Sequence, residues 1–186
     1  MNTQNLIDQM SAMLLSFATE EGINASSRKE TYGCLFGRDG AITVLQILKA
    51  QERNPNPELL AIARRTLLSL VRLQGKEVNI ESGEEPGKFI HEYRREGYDH
   101  LVNAVKPWYL YEEDKTVRNY DTVDSTPLTL IAIYRYWRLT GDEEFLRLAL
   151  PAVEKGLEWI RKYGDQDGDF FLEFSLHPER AYGGLT

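Results

Sequence analysis

Apolar residues crowd almost every position of one stretch, Leu35 to Leu48. Ala41, Ile42, Val44, Leu45, Ile47 and Leu48 leave only Thr43 and Gln46 as polar interruptions. A helix apolar on all sides must be covered on all sides, so this pattern predicts an interior helix. Thr3 to Glu21 is different: Leu6, Met10, Met13, Leu14 and Phe17 form a single helical stripe that stops at Gly22, as in an amphipathic, outward-lying helix. After a break at Asn54 to Pro57, Leu59, Leu60, Ala63, Leu67, Leu70 and Val71 make another one-sided helix ending at Gly75. Asn56 suits its N-cap and Pro57 its first position. Asp124-Ser125-Thr126-Pro127 opens a second nearly all-apolar helix running to Trp137, broken at Thr140-Gly141-Asp142. The stretch from Phe145 to Ile160 is amphipathic again and carries Pro151, a kinking residue. Gly164 ends it, and Asp165 to Asp169 read as a turn into a short strand, Phe170 to Ser175.

Residues 76–123 keep no helical period. Gly87 to Arg94 there fits a strand or hairpin arm, and Trp108, Tyr109 and Tyr111 form an aromatic knot after Pro107. So long an irregular excursion inside a compact domain points to a pocket-lining role. The helices alternate outer, inner, outer, inner, outer, with an acidic residue at the mouth of each inner one. Concentric helix pairs arranged in a ring would produce that order, gathering Arg38-Asp39 and Asp124 to Thr126 at one end. The expected class is therefore all-α, a partial toroid of helical hairpins with a short β-hairpin excursion, all in one domain over residues 1–186. Five helices do not close a ring, so the chain reads as a piece of one or as a protein that completes itself by association.

Composition narrows the partners. The net charge of −7 argues against nucleic acid and anionic membrane surfaces, which want basic patches. No apolar run reaches membrane-spanning length and no signal-peptide plan opens the chain, which makes cytoplasmic residence the expectation. The lone Cys34 excludes an internal disulfide and multi-cysteine metal sites, and suits a small apolar filler.

Several polar groups have two readings. Arg38-Asp39 is either a first-turn acid with its partner or a fork at the floor of a pocket. His91-Glu92 is either a satisfied strand pair or part of the same pocket. Asp124 caps a helix, and a cap can also line a pocket. Asp165, Asp167 and Asp169 have the spacing that opens a calcium loop, but the glycine is misplaced and Leu176 stands where a bidentate glutamate is required. An Asx-rich turn is the simpler reading, and neither a metal nor a cofactor is expected.

Four ordered blocks carry a resemblance. Phe36 to Thr43, Glu85 to Arg94, Val123 to Leu128, and Gly141-Asp142 followed by Trp159-Ile160 and Asp167 to Asp169 resemble, in order, segments of the amylo-α-1,6-glucosidase (glycogen-debranching) family of glucoamylase-like six-hairpin glycosidases. They cover most of the chain from Tyr32 onward. The resemblance implies an (α/α)6 toroid and hydrolysis of α-glucans or related α-glucosides, with an oligo- or polysaccharide as partner. It assigns sugar hydroxyls to Arg38 and Asp39, with His91, Glu92, Asp124 and Thr126 as pocket neighbours. A guanidinium donor beside a carboxylate acceptor grips a hydroxyl from two sides, and Phe36, Trp108 and Tyr109 are candidates to cover the ring. Two departures accompany it. Asp121 stands where the family has glycine, and the family's catalytic carboxylates fall beyond Thr186. Hydrolysis needs two carboxyl groups flanking the bond, so the catalytic residues stay unassigned. The chain is expected to be the N-terminal, sugar-binding portion of such an enzyme, self-associating or paired with a C-terminal half. A non-catalytic carbohydrate-binding module and a helical-pair scaffold are the alternatives.

Overall fold

The computed structural model describes residues 3–174 and 177–184. Ser175, the end of one expected strand, lies outside them, as do Leu176 and Leu185-Thr186. Helix α1 (Thr3–Ser16) leads to a two-residue hairpin, β1 (Ala18–Thr19) with β2 (Gly22–Ile23). Strand β3 (Leu35–Phe36) runs straight into α2 (Gly37–Gln51), followed by α3 (Pro57–Arg72). Then come β4 (Glu92–Arg94), a short α4 (Asp99–Val102), β5 (Leu110–Tyr111) and β6 (Thr116–Asn119). Helices α5 (Ser125–Thr140) and α6 (Glu143–Trp159) complete the order, with a π-helical turn over Ile160–Gly164.

The all-α expectation is overturned. Among the described residues two antiparallel sheets stand beside six α-helices, and the larger sheet has the order β3-β4-β6-β5. The chain is mixed α and β. Most of that sheet comes from residues 76–123, whose lack of helical period was visible but whose pairing with β3 was not. Leu35 pairs with Tyr93 and Phe36 with Glu92, while Glu92 pairs with Asn119. Two-residue strands leave too little alternation to read. The expected strand from Phe170 is absent through Phe174; that stretch is bends and loop, with Phe170 at φ 72°.

Helix α2 packs between α3 and α5, and α6 closes against α3 and α5. Val44, Ile47, Leu67, Leu70, Ile133, Phe145 and Ala149 form the shared core. The inner helices are not covered all round, however. Ile42, Ile131 and Tyr134 are 41%, 48% and 53% exposed, because α2 and α5 each have a flank with no neighbouring helix among the described residues.

Local chemistry sets the helix starts. Asn56 accepts from the amides of Glu58 and Leu59 at 3.1 Å, ahead of Pro57 at the first position. Asp142 does the same for Phe145 at 2.9 Å and also binds Arg64 Nε at 2.8 Å, tying α6 to α3. Asn56→Ala is expected to lower stability by about 1 kcal/mol, read as a drop in the urea midpoint without a change of slope. An unchanged midpoint would show that the cap contributes nothing.

Candidate functional site

The site is built where the sheet meets two helix mouths. Strand β3 feeds α2 directly, and β6 feeds α5 through Tyr120 to Asp124. Residue 91 lies between the two leads and ties them together with its backbone. Its carbonyl accepts from Gly37 N at 2.8 Å, and its amide donates to Asn119 O at 2.8 Å. Main-chain bonds, with α2 packed along α5, bring the two mouths side by side.

The charged residues meet there. Arg38 Nη1 donates to Asp124 Oδ2 at 3.2 Å, and Arg38 Nε lies 4.0 Å from Asp39 Oδ2. All three side chains are close to half exposed, at 45%, 42% and 48% respectively. Asp124 does not cap α5: no side-chain bond reaches the helix amides. Its Oδ1 has no hydrogen-bond partner among the described residues. The fork presents to solvent the half-exposed side chains of Arg38, Asp39 and Asp124, while Asp124 Oδ1 itself is buried.

An aromatic edge borders the fork. Phe36 is buried, with its ring 5.3 Å from His91 and 6.1 Å from Tyr32, both edge-on. His91 is buried, and its Nδ1 lies 3.3 Å from Thr122 Oγ1. Burial, and then the positive charge of Arg38, push its pKa down to about 4. The ring is therefore neutral at physiological pH and can trade hydrogen bonds without carrying charge.

The other expected residues go elsewhere. Glu92 is buried in an ion pair with Arg94 Nε and accepts from Cys34 Sγ at 3.7 Å. Burial, then Glu92, push the Cys34 thiol well above its ordinary range, so it remains a thiol. Thr126 is fully buried, and its Oγ1 accepts from Phe89 N at 2.9 Å, a structural tie. Tyr109 packs edge-on against Tyr111 at 5.1 Å and Tyr182 at 5.4 Å. Trp108, half-buried, bonds through its amide to Leu101 O. Neither aromatic ring stacks on or bonds to the fork. Asp121 is paired with Arg180 and bonded to Asn119 Nδ2 at 2.8 Å, so it does not join the fork either.

No family model and no curated protein matches this chain. The likeness to the debranching family rests on the four sequence blocks alone. Residues those blocks did not single out complete the site: Tyr32, 63% exposed beside Phe36, and Thr122 under His91. Tyr32 sits in a turn, and no period in the sequence links it to Phe36.

Asp165, Asp167, Asp169 and Glu173 bring carboxylate oxygens within 4.8 Å of one another. Asp165 accepts from the amides of Gly168 and Phe170, Asp167 from Asp169, Asp169 from Phe171 and Glu173 from Gln166. This is the Asx-rich turn that the sequence favoured. No helix among the described residues is long and apolar enough to cross a membrane.

Proposed function

We propose that the chain is the sugar-binding portion of a glycoside hydrolase acting on α-glucans or related α-glucosides. One observation carries the reading: Arg38, Asp39 and Asp124 converge from two separate helix mouths into an open fork. A sugar hydroxyl donates and accepts at once. Arg38 supplies N–H groups, while the half-exposed carboxylates of Asp39 and Asp124 supply acceptors. Charge-assisted bonds of this kind are the stronger ones. Tyr32 and the Phe36 edge offer the apolar contact that a pyranose ring needs beside its hydroxyls. Two carboxylates sharing one guanidinium grip a hydroxyl; they do not by themselves form an acid and base flanking a bond. That arrangement favours a binding module without chemistry as the second reading.

Calorimetric titration with maltose tests the grip. Asp124→Asn is expected to weaken maltose binding about tenfold and to leave thermal stability nearly unchanged, because half-exposed ion pairs contribute little. Absence of heat from the unaltered chain would leave only a helical scaffold. Reducing-sugar release from a limit dextrin separates the hydrolase from the binding module.

A further inference from the structure

A groove of about 570 Å³ lies between the C-terminal ends of α2 and α5, at the opposite end of those helices from the fork. Leu45, Leu48 and Leu139 give it an apolar floor. Lys49, Arg135 and Arg138 line its rim and are exposed. None of these three side chains has an ion-pair or hydrogen-bond partner among the described residues. One acid, Glu52, faces them, so the groove is cationic in a chain whose net charge is −7. Helix dipoles favour Lys49 and Arg138, which sit in last turns. They give no reason for Arg135 or for the open leucine floor.

The chain carries the complement of that surface. Loop 165–174 exposes Phe170 and Phe171 to 94% and 75%, with Phe174 exposed beside them. Clustered apolar exposure of this kind marks a contact surface. Asp167 and Asp169 are exposed as well, and no Lys or Arg pairs with them among the described residues. Phe170 is held at φ 72°, a conformation that a bulky residue adopts only when its surroundings impose it. Amide bonds to Asp165, Asp167 and Asp169 fix the loop in advance, which lowers the ordering cost of docking.

The loop cannot reach the groove of its own chain. Only Gly141 and Asp142 separate α5 from α6, so α6 starts at the groove end. It runs back along α5 for 17 residues, about 25 Å. Gly156, near its end, lies against Leu130 in the first half of α5. Loop 165–174 therefore emerges at the mouth end.

We propose that a second copy of this chain fills the groove, its Phe170 and Phe171 on the leucines and its Asp167 and Asp169 on the cationic rim. Each copy then offers one groove and one loop at opposite ends. Such a head-to-tail contact builds chains or a closed ring, not a two-fold dimer. This inference stands apart from the sugar-binding reading, and no saccharide enters its test.

Sedimentation velocity of the full chain over a range of concentrations reads the association. The mean mass is expected to rise with concentration, and Arg135→Glu with Arg138→Glu to weaken association about tenfold. Asp167→Lys with Asp169→Lys should weaken it similarly. Mixing the two charge-reversed proteins should restore assembly, because every groove then meets a loop of opposite sign. A monomer at every concentration would overturn the proposal. So would association that either double variant keeps, or a mixture that stays dissociated. Should a variant lose its fold by circular dichroism, NMR of the unaltered chain decides. Dilution must then move both the Leu139 methyl and the Phe170 ring signals, and movement at only one or at neither overturns the proposal.

Discussion

Gly37→Ala is expected to lower stability by roughly 3 kcal/mol, at the upper end for a single added methyl group. A Cβ at this position would overlap the carbonyl oxygen of Ile90 and come 3.1 Å from Ser125 Oγ. The obstacle is backbone, and that backbone is held. Gly37 N donates to His91 O, and His91 N to Asn119 O, so Ile90 cannot retreat without loosening the ladder. The variant should therefore show both a lower urea midpoint and weaker maltose binding, because the same shift parts Arg38 from Asp124. An unchanged midpoint would mean that the strand junction yields cheaply and that the mouths are not rigidly set.

Acid should weaken the fold through His91. Its pKa in the folded chain is about 4, against an ordinary 6.5. Above pH 6.5 both states hold the ring neutral and its contribution is complete. As pH falls below 6.5 the unfolded chain takes up the proton first, so stability declines toward pH 4. The slope is about 1.4 kcal/mol per pH unit, which amounts to about 2 kcal/mol by pH 5 and about 3 kcal/mol in full. His91→Gln, which cannot titrate, should flatten the decline between pH 6.5 and 5. Denaturant midpoints of both proteins at half-unit intervals measure this. Parallel curves would assign the loss to other groups.

The helical periods were legible in the sequence, and the pairing of short strands distant along the chain was not. The runs Ala41 to Leu48 and Leu128 to Trp137 announced α2 and α5, and Asn56-Pro57 announced the start of α3 to the residue. The meeting of Arg38 with Asp124 was expected from neighbouring inner helices, and α2 does pack on α5; the sheet junction that also fixes the mouths was not foreseen. Nothing in the pattern of β3, two residues long, shows that it pairs with Tyr93 and Glu92 across more than fifty residues of chain. Without that pairing the alternation of helices looked like a ring, and the sheet that sets the geometry went unread. Asp124 misled in a smaller way: its position before Ser125 suited a cap, but the bond goes to Arg38 across the gap. Glu92 was assigned to the pocket beside His91 by the resemblance of the Glu85 to Arg94 block. Adjacent strand residues point to opposite faces, and Arg94, two positions on, takes the Glu92 carboxylate.

The main-chain knot at residue 91 has a practical corollary. Because amides and carbonyls fix the spacing of the two helix mouths, the side chains at 38, 39 and 124 behave as interchangeable fittings on a rigid frame. A combinatorial library confined to those three positions should yield proteins that keep their melting behaviour while trading one polar ligand for another.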